Sequence, residues 1–321
     1  MRGIRRILGG MVAVGLLGAC QPLDEGGGGG AGDVLFTRGF AFVRNDRNVY
    51  VVDDKGDPNS PQRLTSGGGA FQPSVSRDGR SVVFVQKSGN TTSLQTVPTS
   101  GGVTATLFTT NDVACGVRGC TNFRYPTFSP DSRTIVFVFD RGSGSNSELG
   151  QVNVDGSSFK ALTPGTTISY GAPSFFPNGT TVLVPAGNNT FQFNQLARVP
   201  LNGGPATFSS LGNEVLSIVN RAVVSSDGTQ VALDGKLSSG STRIFVGPLT
   251  STGIGQLRRL SDYSTATVQE TFPSWTSASG LGFLFSDAGG DPSIYRATVS
   301  LTPSSVSLAV PTAAEPSYGP F

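Results

Sequence analysis

The sequence predicts an all-β fold, a six-bladed β-propeller of four-stranded blades closed by pairing of the N- and C-terminal segments. A short motif recurs six times within residues 73–320, at intervals of 53, 47, 49, 51 and 43 residues. That period fits one four-stranded blade. Apolar runs of strand length follow the first five copies, and no convincing helical periodicity follows residue 33.

The motif begins with Pro-Ser or a variant of it, and four copies carry Asp78, Asp131, Asn178 or Asp227 at a turn. Such side chains accept hydrogen bonds from nearby backbone N–H groups, so we predict structural turn residues. A glycine follows three of them and tolerates the positive φ that a two-residue hairpin requires. The six copies are residues 73–79 (PSVSRDG), 126–132 (PTFSPDS), 173–179 (PSFFPNG), 222–228 (AVVSSDG), 273–277 (PSWTS) and 316–320 (PSYGP).

The other strands of each blade follow the motif. A continuous apolar run predicts a second strand that is covered on both faces. A half-buried third strand comes next, and a turn containing glycine leads to a fourth strand. Examples are 82–85 (VVFV) and 135–138 (IVFV) for the second strand, 48–52 (NVYVV) and 293–297 (SIYRA) for the third, and 62–65 (QRLT) and 160–163 (KALT) for the fourth.

The two ends of the repeat region complement each other. Residues 39–43 (GFAFV) match the second strand of a blade but lack the motif before them, and residues 316–321 are a motif with nothing after it. Joined, they form a sixth blade and leave no open sheet edge. The last six residues are therefore predicted to be necessary for folding.

These units resemble the TolB-type β-propeller repeat, whose usual form is Pro-Ser-Trp-Ser-Pro-Asp-Gly followed by an Ile-Ala-Phe strand. The resemblance covers residues 34–321 and is most specific at 126–131 and 273–275. The family includes a periplasmic propeller that binds lipoprotein and colicin partners, and the propeller domains of prolyl peptidases. Residues 21–33 are too few for the extra α/β domain of the former, and the chain has neither room for a hydrolase domain nor a histidine.

The N-terminal residues have the form of a secretory address. Arg2, Arg5 and Arg6 precede a short apolar run that ends in Leu-Gly-Ala-Cys, which resembles the bacterial lipobox. We therefore predict a lipoprotein signal peptide at 1–19, a lipidated (palmitate-bearing) Cys20 and a flexible glycine-rich tether to residue 33. This predicts a lipid-anchored protein of the bacterial cell envelope, and Gln21 after the cysteine favours the outer membrane.

Cys115 and Cys120 remain after Cys20 is assigned to lipidation. Two cysteines left over in an oxidising compartment predict a disulfide, which would close a short loop. A redox pair or a metal clip is the alternative, but the spacing differs from Cys-x-x-Cys and the sequence holds no histidine.

Composition removes several classes of function. With no histidine among 321 residues, the chain cannot form a Ser-His-Asp or Cys-His site. A formal net charge of +2 gives no basic field for nucleic acid. No catalytic residue, cofactor or metal ligand is assigned.

Acidic side chains leave two further possibilities. The glutamates Glu148, Glu214, Glu270 and Glu315 are scattered over different units, and no spacing selects a catalytic pair. Calcium is possible at Asp53-Asp54, Asp140 or Asp287, although no dense Asp-x-Asp-x-Asp-Gly pattern is present. Trp275 lies at the aromatic position of the repeat and is predicted to belong to the core.

Two functions stand as hypotheses. The first is a non-catalytic scaffold lipoprotein with a monomeric propeller that binds an envelope protein or a glycan, a membrane through its lipid, and no nucleic acid. The second is a histidine-free glycosidase or lyase with acidic residues in the propeller channel. The anchor, the single propeller and the few catalytic side chains favour the first.

Overall fold

A computed structural model describes most of the repeat region. The described residues are 35–112, 115, 119–142, 146–188, 192–212, 214–262, 267–300, 302 and 306–320. The predicted signal peptide, Cys20 and the tether lie outside them. Within the described part of the chain, no helix has the length and apolar character needed to cross a membrane.

The described residues form 25 strands arranged in six antiparallel sheets. The strands are β1 Gly39–Val43, β2 Val49–Asp53, β3 Gln62–Arg63, β4 Ala70–Val75, β5 Ser81–Ser88, β6 Thr91–Pro98, β7 Ala105–Thr109, β8 Thr121–Phe128, β9 Thr134–Asp140, β10 Ser147–Asn153, β11 Lys160–Ala161, β12 Ser169–Tyr170, β13 Ser174–Phe175, β14 Thr181–Gly187, β15 Gln195–Pro200, β16 Thr207–Ser210, β17 Ser217–Val224, β18 Gln230–Lys236, β19 Thr242–Pro248, β20 Arg258–Arg259, β21 Gln269–Ser277, β22 Gly280–Ser286, β23 Ser293–Thr298, β24 Val306–Val310 and β25 Ala314–Gly319.

Each sheet is one blade, numbered by the motif copy that forms its innermost strand. Blade 1 is β4–β7, blade 2 is β8–β11, blade 3 is β12–β16, blade 4 is β17–β20, blade 5 is β21–β24, and blade 6 is β25 with β1–β3. The innermost strands of successive blades contact one another around the ring. The predicted all-β, six-bladed fold is confirmed.

Blade 6 is closed by the two ends of the repeat region, as predicted. The C-terminal β25 pairs with β1 in an antiparallel register that places Gly39 opposite Gly319 and Phe40 opposite Tyr318. The ring of Tyr318 packs edge-on against that of Phe40, with centroids 5.0 Å apart. Closure therefore combines backbone pairing with an aromatic contact in the core.

The second strands are the most deeply buried part of each blade. In β5, Val82, Val83 and Phe84 are fully buried, and the corresponding strands β9 and β14 follow the same pattern. Both faces of these strands pack against neighbouring blades, which is why the sequence reads as a continuous apolar run instead of an alternating one.

Blade 3 departs from the four-stranded pattern because its innermost strand is interrupted. Both β12 and β13 pair with β14, one on each side of residues 171–173. A Cβ built on Gly171 would lie 2.7 Å from the ring of Phe193, so this glycine allows the aromatic side chain to pack against the backbone.

The turn after the innermost strand is longer than the sequence suggested. In blade 1 the Ser76 N–H donates to Ser81 O (2.8 Å), which leaves a four-residue loop, and blades 2, 3 and 4 repeat this arrangement. The hydroxyl of Ser76 accepts the Ser81 N–H (3.0 Å) and donates to Asp78 (2.6 Å), so side chains supply bonds inside the wider loop. The two-residue hairpin prediction is wrong for these blades; blade 5 has one, between Ser277 and Gly280.

Candidate functional site: the central channel

The innermost strands of several blades contain β-bulges just before the proline of the repeated motif. Backbone register shifts around residues 72–73, 125–126 and 272–273 place two residues of the inner strand opposite one residue of the second strand. Four residues that precede a proline have positive φ values: 52° at Gln72, 52° at Tyr125, 55° at Phe272 and 54° at Glu315. These are β-bulges whose first residue is left-handed, and such bulges redirect side chains.

The residue at this repeat position differs in every blade. We call the six residues the collar: Gln72, Tyr125, Ala172, Arg221, Phe272 and Glu315. The turn ends of blades 1 to 4 share an aspartate or asparagine, but the collar brings together an amide, a phenol, a guanidinium, a phenyl ring and a carboxyl group. This variety makes the collar the chemically distinctive part of the channel.

Hydrogen bonds link the collar across three adjacent blades. The Gln72 N–H donates to Glu315 Oε2 (2.6 Å), and the Tyr125 N–H donates to Gln72 Oε1 (2.7 Å). The other carboxylate oxygen of Glu315 lies 3.3 Å from Arg47 Nη1. Burial raises the pKa of Glu315, while the Gln72 N–H and the positive charges of Arg47 and Arg221 oppose the rise.

A buried carboxylate from β18 organises the opposite side of the collar. Asp234 accepts hydrogen bonds from the backbone N–H groups of Asn220 (2.8 Å), Arg221 (3.0 Å) and Phe272 (3.0 Å). Burial raises the pKa of Asp234, and these N–H donors oppose the rise. Asp234 thus ties the inner strand of blade 4 to that of blade 5, and its oxygens are occupied by backbone groups.

The channel encloses a cavity of about 100 Å³, enough for several water molecules. Arg221 lines it beside Tyr125, and Arg77 lines it at the turn end of blade 1. The guanidinium of Arg221 lies 5.2 Å from the ring centroid of Phe272. Burial lowers the pKa of Arg221 and raises that of Tyr125, since both charged forms lose hydration there.

The recurring serine of the Pro-Ser motif joins neighbouring blades. Ser174 Oγ accepts the Val224 N–H (3.0 Å), Ser274 Oγ accepts the Tyr318 N–H (2.9 Å), and Ser317 Oγ accepts the Val75 N–H (3.4 Å). In each case the donor belongs to the next blade around the ring. Sequence analysis missed this role, although the recurrence of serine was the signal for it.

The turn residues lie at the far end of the strands, on the protein surface. Asp131 accepts bonds from Ser129 Oγ (2.6 Å) and the Arg133 N–H (3.1 Å), and Asp227 has the equivalent partners in blade 4. These bonds hold the pKa of both carboxyls below the ordinary value. In blade 3, Asn178 accepts the Thr180 N–H at 3.0 Å. Their partners are all local, so their geometry is that of turn residues.

The glycine of the turn also makes room for the adjacent blade. Gly79 has φ of 72°, and a Cβ built on it would lie 3.0 Å from Cδ of Pro320 in blade 6. Gly228 faces Pro177 of blade 3 in the same way, at 3.1 Å. Glycine is therefore required both by the backbone conformation and by blade packing.

Cys115 and Cys120 form a disulfide with a Cα–Cα distance of 5.4 Å. Both cysteines are buried and pack with Phe108 and Phe123 in the core between blades 1 and 2. Arg141 Nη1 donates to the Cys115 carbonyl oxygen at 2.7 Å. The disulfide itself is therefore part of the core, a larger role than closing a loop.

The other acidic candidates occupy separate places in the fold. Asp53 accepts backbone bonds from Thr37, Arg38 and Lys55, and Asp140 forms an ion pair with Arg124 at 2.7 Å. Within the described residues, no group of three or more acidic or cysteine side chains could hold a metal ion. The remaining acidic candidates also lie apart from one another: Glu148 pairs with Arg141, Glu270 is buried in blade 5, Glu214 lies before β17, and Asp287 follows β22.

Trp275 belongs to the core, where it is 4% exposed and packs with Leu281 and Phe283. Its Nε1–H donates to the carbonyl oxygen of Val223 in the preceding blade, at 3.0 Å. The indole also contributes an edge to the channel wall.

Fold and channel together define a closed six-bladed β-propeller with an arginine-lined cavity in its channel. Comparison with solved structures shows that this propeller has the fold of TolB. The crystal structure of TolB from Acinetobacter baumannii matches with a TM-score of 0.67 at 15% identity, over 89% of this chain and 67% of that one. The putative TolB from Agrobacterium tumefaciens matches with a TM-score of 0.56 at 15% identity, over 84% and 88%.

An enzyme shares the same fold. Oligogalacturonate lyase from Vibrio parahaemolyticus matches with a TM-score of 0.55 at 17% identity, over 82% of this chain and 75% of that one. No protein-family model matches the sequence, and no curated protein matches it. At these identities the likeness establishes the fold, and the chemistry has to be argued from this chain's own channel.

Proposed function

We propose that this chain is a membrane-anchored cell-envelope lipoprotein whose propeller is a non-catalytic binding scaffold. The collar is the basis of this proposal: six different residues occupy one position of an otherwise repetitive fold, and three of them, Tyr125, Ala172 and Arg221, line the channel cavity. Repeated residues serve packing and turns, whereas residues that differ from blade to blade are free to recognise a ligand. The partner is an envelope protein or a glycan, and the propeller acts as a monomer.

Site-specific photocrosslinking tests where the partner binds. A photoreactive amino acid at Thr127, which lines the cavity, is expected to give one covalent adduct in intact cells. The matched control carries the same amino acid at Val103, which is 88% exposed on the outer side of blade 1. Equal adducts at both positions, or none at Thr127, would contradict a channel-directed scaffold.

The proposed anchor has its own test. Metabolic labelling with a palmitate analogue is expected to mark the full chain and not the Cys20→Ser variant. Fractionation of the labelled chain should place it with the outer membrane. Equal labelling of both chains would exclude lipidation at this cysteine.

A histidine-free lyase or glycosidase is the second candidate, because oligogalacturonate lyase shares the fold. The channel carboxyls do not favour it, since Asp234 is held by three backbone N–H groups and Glu315 by Gln72 and Arg47. Incubation of the propeller with oligogalacturonate should release no unsaturated product. Turnover that disappears in Glu315→Gln would replace the scaffold proposal by the enzyme.

A further inference from the structure

Arg221 is a cation in the channel without an anion of its own. Its Nε–H is buried and has no hydrogen-bond partner. Among the described residues, no carboxylate oxygen lies within ion-pair distance of its guanidinium, which contacts the face of Phe272. A buried charge left in this state is costly, so its position calls for a counter-ion.

The two nearest acidic groups are already used. Asp234 binds the backbone N–H of Arg221 and two others, which directs its oxygens toward main chain and away from the guanidinium. Glu315 is bound by Arg47 and by the Gln72 N–H. Both carboxyls lower the cost of the arginine at a distance, but neither forms an ion pair with it.

Arg221 brings its guanidinium to the wall of the cavity, and no carboxylate is found among the described lining residues. Hydroxyl groups of Ser74 and Thr127 add neutral hydrogen-bonding partners to the same wall. In a site with little water, one guanidinium–carboxylate contact is far stronger than on the surface, and the planar fork suits two carboxylate oxygens.

We infer that the channel binds a carboxylate of a partner protein, either a chain end or an acidic side chain, with Arg221 as its anchor. This inference rests on the proposed scaffold function and names the chemistry that the channel recognises. The small cavity favours a peptide group over a sugar chain. Its volume of about 100 Å³ is below the several hundred cubic ångströms typical of small-molecule sites.

Calorimetric titration with defined probes tests the inference on the purified full chain. The probes are tetra-alanine with a free C-terminal carboxylate, the same peptide as its C-terminal amide, and digalacturonate. Saturable binding is expected for the free acid, with at least tenfold weaker binding of the amide. The NMR signal of the Arg221 Nε–H should shift with the free acid. Equal binding of acid and amide, preferential binding of digalacturonate, or no saturable binding would each overturn the inference.

Variants assign the contact to Arg221. Arg221→Gln should weaken free-acid binding about tenfold or more. Arg221→Lys keeps the charge but lacks the planar guanidinium, and it should give an intermediate affinity. Arg80→Gln is the matched control, because Arg80 is exposed and lies outside the cavity. A folded Arg221→Gln chain that binds the acid as wild type does would overturn the inference. If Arg221→Gln does not fold, unchanged affinity of Arg221→Lys would overturn it.

The crosslinking experiment separates this inference from the proposed function. Absence of the Thr127 adduct in the otherwise wild-type chain would contradict the proposed scaffold function itself. An adduct that forms equally in wild type and Arg221→Gln would leave the scaffold standing and overturn carboxylate recognition.

Discussion

The two ends of the innermost strands are built on opposite principles. At the turn end, blades 1, 2 and 4 repeat a serine hydroxyl that donates to an aspartate, and a left-handed residue follows that aspartate in each of them. At the collar, six positions before the turn aspartate or asparagine, the six blades carry six different residues. Residues that recur from blade to blade therefore hold the propeller together, whereas the residues that differ from blade to blade lie at the channel.

The acidic groups at the two ends also differ in their titration. At the turn end, Asp131 and Asp227 have a lowered pKa because Ser hydroxyls and backbone N–H groups bind the charged form. At the collar, burial raises the pKa of Glu315 and of Asp234. The charged form of a carboxyl is thus stabilised at the turns and disfavoured at the collar, where burial removes the carboxyl from solvent.

Truncation after Glu315 is expected to have the largest effect, because it removes most of β25 and reopens blade 6. Without the pairing of Gly319 with Gly39, two sheet edges become exposed. We expect loss of cooperative thermal unfolding and aggregation of the chain. The control is truncation after Pro320, which leaves β25 intact. A chain ending at Glu315 with the full thermal midpoint would show that closure by the termini is dispensable.

Gly79→Ala tests the turn end. An alanine at this position would have to keep a left-handed backbone conformation, and its Cβ would contact Pro320 of blade 6. We expect the free energy of unfolding to fall by about 2 kcal/mol or more. Gly89→Ala is the matched control, since Gly89 has φ of 57° but open space around it, so it should lose only about 1 kcal/mol. Equal losses, measured by denaturant unfolding, would mean that the proline contact contributes nothing.

Asp53→Asn tests how much a carboxylate held by backbone N–H groups stabilises blade 6. Burial opposes the charge of Asp53, but the N–H groups of Arg38, Lys55 and Thr37 outweigh it and hold its pKa at about 2. Because the folded pKa is below the unfolded one, the contribution is full above about pH 4 and is lost as pH falls toward 2. We expect the variant to lose roughly 1–2 kcal/mol at neutral pH and less in acid.

The measurement for Asp53 is denaturant unfolding across that pH range. Asp291→Asn, which changes an exposed carboxyl, is the control and should leave the profile unchanged. A loss of stability in Asp53→Asn that does not depend on pH would assign it to packing.

Ser174→Ala tests the bonds between blades. It leaves the Val224 N–H without its acceptor, which should cost about 1 kcal/mol. Ser74→Ala is the control at the same repeat position, because no hydrogen bond of the Ser74 hydroxyl to a neighbouring blade is found in the described residues. Indistinguishable free energies of unfolding for the two variants would show that the recurring serine has another purpose.

The sequence was sufficient for the ring and insufficient for the channel. Apolar runs such as 82–85 and the complementary ends at 39–43 and 316–321 made the blades and their closure predictable, because both signals are local or periodic. The turn length was missed because the hydroxyl of Ser76 substitutes for backbone bonds. The collar depends on bulges and on contacts between residues far apart in sequence, such as Glu315 with Gln72, which no periodicity contains.

One paired measurement tests the central claim that the collar serves binding and the repeated residues serve stability. Arg221→Gln and Ser225→Ala, both in blade 4, are compared by denaturant unfolding and by titration with free-acid tetra-alanine. Because Arg221 is a buried, unpaired cation, Arg221→Gln should unfold at or above the wild-type free energy and lose peptide binding. Ser225 lies outside the cavity, where its hydroxyl accepts the Gln230 N–H and donates to Asp227. Ser225→Ala should therefore lose about 1 kcal/mol of stability and keep binding. A destabilised Arg221→Gln that binds the peptide normally would contradict the account.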